Sequence, residues 1–296
     1  MITGIININK PKGITSQDVV SKLRKILKIK QIGHTGTLDP LATGVLPMCI
    51  GKATRIIEYL DTSKSYRAYI LLGVETDTYD MEGEILKKQP IIPDKEQIES
   101  CLQEFKGEIT QIPPIYSAVH YKGKRLYEYA RKNIEITDIP ERKVTINDIK
   151  LLSIEKMDSE NPALVVDIDC SGGTYIRSIA SDLGKKLGYG CCLENLTRTG
   201  SGNFRIEDSL TLEQVEEYFS KNEPEKFIIP PERVLGLERV IIDQDQKNKI
   251  KNGLCLSIEK FYPEKKLIQL IFEDSLSAIA EAEGNKIKPL KVFCGE

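Results

Sequence analysis

Residues 33–47, GHTGTLDPLATGVLP, decide how the rest of the chain is interpreted. Three glycines and two prolines in fifteen residues are incompatible with a regular helix and predict a structured loop rather than a central strand. Backbone amides of such a loop can bind phosphate, although the spacing matches neither a Walker motif nor a dinucleotide fingerprint. Asp39 precedes Pro40, and an isolated Asp-Pro pair favours a plain turn.

Regular elements are predicted on both sides of this loop. GIININ (4–9) is typical of a strand, and a helix capped near Thr15 follows, with apolar residues at helical spacing. Further along, YRAYILLG (66–73) alternates like a half-buried strand, while residues 94–105 have an Asp cap and one apolar helical face. ALVVDIDC (163–170) is β-prone and leads into a turn and a helix, so strands and helices are interspersed along the chain.

Residues 112–132 combine rings and cations. The aromatic or imidazole side chains are Tyr116, His120, Tyr121, Tyr127 and Tyr129, and the cations among them are Lys122, Lys124, Arg125, Arg131 and Lys132. Two prolines and a Lys-Gly turn predict a protruding hairpin or loop followed by a short helix. Cations for phosphates and flat rings for unstacked bases are what a single-stranded RNA surface needs, and a solvated loop packed by its tyrosines is the alternative.

The overall composition narrows the class of protein. The chain has 296 residues, 40% of them apolar and 29% charged, which indicates a globular protein with a sizeable core. The formal net charge of −2 excludes binding to nucleic acid by bulk charge alone, but not by a local basic groove. The N-terminal residues do not resemble a signal peptide and no stretch approaches membrane-spanning length, so we expect a cytoplasmic protein with no membrane partner.

Metal and redox chemistry are not indicated. The seven cysteines are scattered without a CxxC pair, and His34 and His120 are the only histidines. Neither a disulfide framework nor a His-rich metal site is expected. The adjacent Cys191 and Cys192 are predicted to fill the core. Carboxylates, tyrosines, amines and guanidinium groups therefore remain to carry any chemistry.

A family resemblance follows from several motifs in one order along the chain. The central GHTGTLDPLATGVLP resembles the signature of the TruB-type pseudouridine synthases, which isomerise uridine 55 in the T loop of tRNA. The other similar motifs are NKPKGITS (9–16), KSYRAYILLGVETDTYDMEG (64–83), IPPIYSAVHYKGKRLYEYAR (112–131), CSGGTYIRSIASDLG (170–184), LTRTGSGNF (196–204) and the C-terminal IKPLKVF.

The resemblance implies an α+β fold with a mixed, mainly antiparallel central sheet flanked by helices. Residues 1–235 would form the catalytic domain, with an RNA-gripping insertion at about 112–150. Residues 236–296 would form a small PUA-like β-barrel that binds RNA. Five short β-prone segments after residue 236 fit that barrel: ERVIID, LCLSIEK, KLIQLIF, SAIAEA and IKPLKVF.

The reaction implied by the resemblance explains the residue types. Pseudouridylation breaks the C1′–N1 bond, rotates the uracil and joins C5 to C1′, so the product is an isomer and no metal or organic cofactor is expected. The reaction needs a carboxylate nucleophile, a base for one proton and a dry pocket for an extruded nucleotide. Attack at C1′, attack at C6 and a glycal route all remain open.

Site residues are carried over from the family motifs. Asp39 is implied as the nucleophile, Arg177 as its ion-pair partner, and Tyr66 as a ring against the uracil with a hydroxyl available for proton transfer. Tyr175 would close the other side of the pocket. The remaining substrate-binding residues implied are Leu196 as an apolar wall, His34 as the ring that fills the space left by the flipped nucleotide, and Lys10 as a support for the catalytic loop or a contact to RNA phosphate.

Two alternatives to a stand-alone tRNA enzyme are kept. A guide-RNA-dependent relative would share the catalytic motifs, but the chain lacks long flanking extensions and retains the insertion at 112–131. A tRNA-binding and folding module with secondary catalysis is the other alternative. The partner implied is tRNA, contacted at its T arm and elbow, with no obligate protein partner and a monomeric enzyme.

Overall fold

The computed structural model describes residues 2–132, 134, 136 and 138–294. Within them the helices are α1 (Ser16–Leu27), α2 (Lys95–Gln103), α3 (Leu126–Ala130), α4 (Ile176–Leu187), α5 (Leu212–Ser220) and α6 (Gln244–Lys251). Short 3₁₀ segments lie at Gly51–Tyr59, Ile206–Asp208, Pro224–Lys226 and Pro231–Arg233. The strands are β1 (Gly4–Lys10), β2 (Ile32–His34), β3 (Thr43–Ile50), β4 (Lys64–Leu72), β5 (Val74–Thr76), β6 (Ile85–Lys88), β7 (Gly107–Gln111), β8 (His120–Tyr121), β9 (Lys124–Arg125), β10 (Arg142–Glu155), β11 (Ala163–Cys170), β12 (Cys191–Ser201), β13 (Phe204–Arg205), β14 (Glu238–Ile241), β15 (Leu256–Phe272) and β16 (Ser275–Val292).

One large sheet organises the first two thirds of the chain. Its strand order is β1–β3–β12–β4–β11–β10–β7, with β2 attached to β3 and β13 attached to β12. The strands pair antiparallel except β12 with β3, which is a short parallel pair. Helices α1, α2, α4 and α5 contact one another or the sheet through a shared apolar core. The expected α+β fold with a mixed, mainly antiparallel sheet is confirmed.

The expectation that residues 33–47 contain no central strand is wrong in its second half, because β3 lies between β1 and β12. The strand accommodates Pro47 because its two edges are used unequally. β1 pairs with β3 along its whole length, whereas β12 pairs only at Thr43 and Gly44 and β2 only from Met48 to Ile50. Pro47 falls between these two short pairings, so its missing N–H breaks no ladder.

The insertion has the predicted form of a hairpin followed by a short helix, made of β8, β9 and α3. Its hydrophobic base is formed by Val119, Leu126 and Ala130, which are buried. Residues 142–150, which the sequence analysis places in the insertion, belong to β10 in the main sheet, where 142–146 pair with β7 and 148–150 pair with β11. The insertion as folded therefore spans 112–141, of which positions 133, 135 and 137 lie outside the described residues.

The C-terminal part contains three described strands where the sequence predicts five. β14 pairs parallel with β15, and β15 pairs antiparallel with β16. Each of the two long strands contains two of the predicted segments. The polar residues between those segments do not form turns, and the pairing of β15 with β16 instead shifts register at 257–266. Such irregularities bend a strand without ending it, which is consistent with a small barrel-like unit.

This C-terminal sheet is joined to the main fold by apolar and polar contacts. One buried cluster is shared between them and includes Ile5, Val45, Ile271, Leu276 and Ile279. Arg55 donates from Nη1 to the backbone oxygen of Val292 at 2.8 Å, and Lys291 pairs with Glu58 at 2.9 Å. The C-terminal strand therefore holds the 3₁₀ segment that follows β3.

The adjacent cysteines fill the core. Cys191 and Cys192 are buried in β12, as predicted, and burial raises the pKa of the Cys192 thiol to about 12. Among the described residues, no helix combines the length and apolar character needed to cross a bilayer.

Candidate active site

A cavity of about 280 Å³ opens between the loop before β3, strands β4 and β12, and the start of α4. Five of the seven predicted site residues line it: Asp39, Tyr66, Tyr175, Arg177 and Leu196. They come from sequence segments up to 157 residues apart, counting from 39 to 196, and only the fold brings them together. The volume lies near the lower end of the range for small-ligand pockets, about 300–1,000 Å³.

Asp39 is held by its neighbours in the loop. The buried Ser16 hydroxyl accepts from the backbone N–H of Leu38 at 2.9 Å and donates to its carbonyl at 3.1 Å. On the other side, the Pro40 carbonyl accepts from the backbone N–H of Gly13 at 2.8 Å. Both residues that flank Asp39 are therefore hydrogen-bonded to the segment 13–16, which holds the backbone of Asp39 in place.

Arg177 links three separate segments around Asp39. Its Nε lies 3.0 Å from Asp39 Oδ2, its Nη1 lies 3.3 Å from Asp80 Oδ2, and its Nη2 donates to the Tyr116 carbonyl at 2.8 Å. The arginine side chain is only 6% exposed. The expected pairing of Asp39 with Arg177 is thus present as an ion pair, and the other two guanidinium nitrogens are held by Asp80 and the Tyr116 carbonyl.

Asp80 lies in the motif at 64–83 but was not among the expected site residues. Its side chain is 3% exposed. Oδ1 accepts from the Thr78 hydroxyl at 2.7 Å and from the backbone N–H of Glu82 at 3.0 Å, which leaves Oδ2 for Arg177. Asp80 therefore holds the far side of the guanidinium.

Burial and the nearby cations shift the pKa of Asp39 in opposite directions. Loss of water around the carboxyl raises its pKa above the ordinary value, and the negative charge of Asp80 raises it further, while Arg177 and Lys10 lower it. The side chain keeps 37% exposure at the cavity. The net result is a carboxylate with a raised pKa whose ionised form depends on Arg177.

Tyr66 and Arg198 lie on paired positions of β4 and β12. Burial raises the pKa of the Tyr66 hydroxyl, so it is protonated at neutral pH. Arg198, a second residue that the sequence analysis missed, is 1% exposed and donates to three carbonyls: Val45 at 2.6 Å, Gly36 at 3.1 Å and Thr37 at 3.3 Å. It therefore ties the loop that carries Asp39 to the strand opposite Tyr66.

Gly44 allows this loop to approach β12. Its φ is +99°, and an added Cβ would lie 2.2 Å from the Arg198 carbonyl oxygen. A side chain there would clash with backbone. The glycine is required at this point because it lies directly opposite Arg198 in the parallel pair between β3 and β12.

Lys10 and His34 lie outside the wall of the cavity. Lys10 is fully buried, and its ammonium donates to the carbonyls of Pro11, Ile14 and Pro40 at 2.9, 2.7 and 3.4 Å. Of the two roles expected for Lys10, this geometry matches support of the catalytic loop, and in this conformation the ammonium is enclosed from any RNA phosphate. His34 ends β2, and burial together with Arg198 lowers its pKa, so its ring is neutral at pH 7.

A second, polar cavity of about 630 Å³ lies on the other side of Arg177. Its walls include Asp39 and Asp80 on one side and Tyr116, Tyr127 and Arg131 of the insertion on the other. Rings and a cation of the insertion thus border the same ion pair as the first cavity. Among the described residues, no group of three or more His, Cys, Asp or Glu side chains has metal-binding geometry.

Fold and site together define an enzyme pocket built around a half-buried carboxylate, a buried arginine and a buried tyrosine. Comparisons with known proteins identify the class. Residues 24–176 match the model of the TruB family pseudouridylate synthase N-terminal domain, and residues 177–245 match the tRNA pseudouridylate synthase B C-terminal domain.

Several relatives are similar over nearly the whole chain. Proteins named tRNA pseudouridine synthase B are 42% identical in Clostridium tetani (98% of this chain, 100% of the relative), 45% in Dehalococcoides mccartyi (98% and 96%) and 41% in Bacillus subtilis (99% and 98%). The chain therefore belongs to the TruB family of pseudouridine synthases.

Solved structures agree with this assignment at the level of the fold. A chain from an H/ACA RNP bound to a substrate RNA containing 2′-deoxyuridine is 26% identical, with a TM-score of 0.74 over 99% of this chain and 85% of that chain. A chain from a Cbf5–Nop10–Gar1 complex is 28% identical, with a TM-score of 0.73 over 98% and 84%.

Proposed function

We propose that this enzyme converts uridine 55 in the T loop of tRNA to pseudouridine, with Asp39 as the nucleophile. The observation that carries the proposal is the Asp39–Arg177 ion pair at the edge of a cavity walled by Tyr66, Tyr175 and Leu196. The full-length similarity to proteins named tRNA pseudouridine synthase B supports tRNA as the substrate.

The chemistry follows from where these groups lie. The target uridine leaves its stack and enters the cavity, where apolar and aromatic walls replace its lost contacts. Asp39 attacks at C1′ or C6, or drives glycal formation, and the C1′–N1 bond breaks. After the uracil rotates, C5 bonds to C1′, the bond or proton that Asp39 took is given back and its carboxylate is regenerated, C5 loses its proton and N1 gains one, so atoms balance without a cofactor.

Arg177 keeps Asp39 ionised against the cost of burial. Enclosing the base removes water from the site and would raise the pKa of the carboxyl further, so the guanidinium at 3.0 Å is needed most when the cavity is full. Arg177 also orients the carboxylate, because its remaining nitrogens are held by Asp80 and the Tyr116 carbonyl.

RNA contacts are proposed for the two segments that the motifs suggest. The insertion presents the rings of Tyr116 and Tyr127 and one cation, Arg131, to the polar cavity beside Asp39, whose facing wall is acidic, so we propose that it grips the flanking nucleotides by stacking on bases rather than by binding phosphates. We place the catalytic domain at 1–235 and an RNA-binding domain at 236–296. The protein is proposed to act as a cytoplasmic monomer that needs no protein partner.

A defined reaction tests the function. Purified protein incubated with unmodified tRNA, and with no other RNA or protein, is expected to form pseudouridine at position 55, mapped by mass spectrometry of nuclease fragments. A guide-RNA-dependent enzyme is the second candidate, favoured by the fold shared with the H/ACA RNP and Cbf5–Nop10–Gar1 chains. Activity that appears only when a guide RNA is added would replace our proposal with that one.

Tyr66→Phe separates the ring of Tyr66 from its hydroxyl. Because the hydroxyl is protonated at neutral pH, we expect it to donate and relay a proton rather than to act as an anionic base. Because one acid–base group is lost, we expect kcat to fall by about 100-fold. The KM for tRNA should not change, because the ring remains. Single-turnover kinetics measures this, and Tyr69→Phe on the same strand is the matched control. A wild-type rate for Tyr66→Phe would remove the hydroxyl from the proton transfer.

A further inference from the structure

The base of the insertion runs along the first turn of α4, and three side chains connect the two segments. Gln111 contacts Tyr175, the Ser178 hydroxyl donates to the Ile112 carbonyl at 3.1 Å, and Arg177 donates to the Tyr116 carbonyl at 2.8 Å. The helix that carries Arg177 is therefore fastened to the chain segment from which the insertion emerges.

Gln111 makes the most specific of these connections. It is the last residue of β7 and is only 2% exposed. Its Oε1 accepts from the backbone N–H of Tyr175 at 3.0 Å, and its Nε2 donates to the Tyr175 carbonyl at 3.2 Å. One side-chain amide thus fixes the peptide groups on both sides of Tyr175, two residues before Arg177.

Tyr175 is the N-cap residue of α4, and its aromatic side chain does not cap the helix. Its carbonyl accepts the first helical bond, from Ile179 at 3.2 Å. The orientation of the Tyr175 peptide therefore sets where α4 begins and where the Arg177 side chain leaves the helix. Gln111 does not line either cavity that contains Arg177, so it has no direct path to substrate.

We propose that Gln111 is a positioning residue for the reaction: its amide holds the first turn of α4 against the base of the insertion and so places Arg177 on Asp39. Ion pairs of this kind tolerate little displacement, because a misplacement of about 1 Å can cost on the order of 100-fold in rate. The inference rests on the proposed role of Asp39 in pseudouridine formation.

Gln111→Met tests this, because methionine keeps the length of the side chain and removes both hydrogen bonds. We expect kcat on tRNA to fall by about 10- to 100-fold with KM within about twofold. Gln103→Met is the matched control, since Gln103 also donates its amide to a backbone carbonyl, that of Ile149 at 3.2 Å, away from the site. That control is expected to keep wild-type kcat.

The pH profile provides a readout that general loss of stability would not move. Burial and three charged groups act on the protonation of Asp39: burial and Asp80 oppose the carboxylate, and Arg177 and Lys10 favour it. If Gln111→Met withdraws Arg177, the pKa of Asp39 rises and the acidic limb of the kcat profile moves to higher pH. A KM increase with an unchanged kcat and an unmoved limb would overturn the proposal.

Hydrogen exchange reads the contact itself, whatever Asp39 does. The amide N–H of Tyr175 is expected to exchange faster in Gln111→Met than in wild type, measured by mass spectrometry on the peptide around residues 171–180. Unchanged exchange would refute the contact, and faster exchange with wild-type kcat would refute its catalytic consequence. If Asp39→Asn proves fully active, the nucleophile assignment fails separately. Should Gln111→Met not melt cooperatively, Gln111→Asn, which keeps the amide on a shorter arm, is measured in the same way.

Discussion

Asp39→Asn is expected to abolish pseudouridine formation, with turnover lowered by on the order of 10⁴-fold or more, because asparagine cannot act as the nucleophile. The amide has nearly the same shape and can occupy the same position beside Arg177, whose Nη1 keeps its partner Asp80. We therefore expect the fold to be retained and tRNA affinity to stay within about tenfold, about 1.4 kcal/mol.

Two measurements check this expectation. Filter binding or fluorescence anisotropy with unmodified tRNA gives the affinity, and mass spectrometry of the digested tRNA gives the product. Asp167→Asn is the matched control, because Asp167 also pairs with an arginine, Arg67 at 2.8 Å, but on an exposed surface. Normal turnover by Asp39→Asn would require another nucleophile. Loss of both binding and product would instead indicate that Asp39 organises the RNA surface.

The same variant separates catalysis from a tRNA-folding role. A module whose main task is to bind and refold tRNA would keep that task in Asp39→Asn, and catalytic loss would be secondary. Both activities can be measured on one preparation of the variant. The ion pair with Arg177 borders the polar cavity formed with the insertion, so the two activities use neighbouring parts of the protein. The variant therefore assigns each activity to its own residues.

Local patterns predicted much of the fold, and the exceptions have identifiable causes. The Thr15 cap is present, with its hydroxyl accepting from the backbone N–H of Asp18 at 3.0 Å, and the hairpin with a short helix appears in the insertion. β3 was missed because Pro47 argues against a central strand unless one knows that no strand ladder occupies the second edge of β3 at that point. That information lies in long-range pairing, not in local sequence.

The candidate site divides along the same line. Asp39 and Arg177 stand in motifs that a family resemblance identifies, and the structure places them 3.0 Å apart. Asp80 and Arg198 also stand in such motifs, at 64–83 and 196–204, but no expectation singled them out, and Gln111 lies outside the motifs. Each acts on backbone or charged groups 60 or more positions away, apart from the local bonds of Asp80. Their importance comes from burial and from which groups they satisfy, which a single sequence does not specify.

Removing the guanidinium is the second large perturbation. Arg177→Met would leave the buried Asp80 without its cation, and breaking a buried ion pair costs about 3–5 kcal/mol of stability. Arg177→Lys keeps the charge but cannot reach Asp39, Asp80 and the Tyr116 carbonyl together, as the planar fork does. We expect Arg177→Lys to fold and to lose about 100-fold or more in kcat.

The acidic limb of the pH–kcat profile gives the sign of the effect. Asp39 is active as a carboxylate, so activity falls as pH drops through its pKa, which burial already raises. Arg177→Lys weakens the group that lowers this pKa, so the limb moves to higher pH. Asp80→Asn removes a negative charge that raises the pKa of Asp39, so the acidic limb moves to lower pH. Arg67→Lys, at the exposed pair with Asp167, should leave the limb in place. Opposite shifts from two neighbouring substitutions are difficult to produce by unfolding, and a shift in the same direction for both would mean that Asp39 is not the group that titrates.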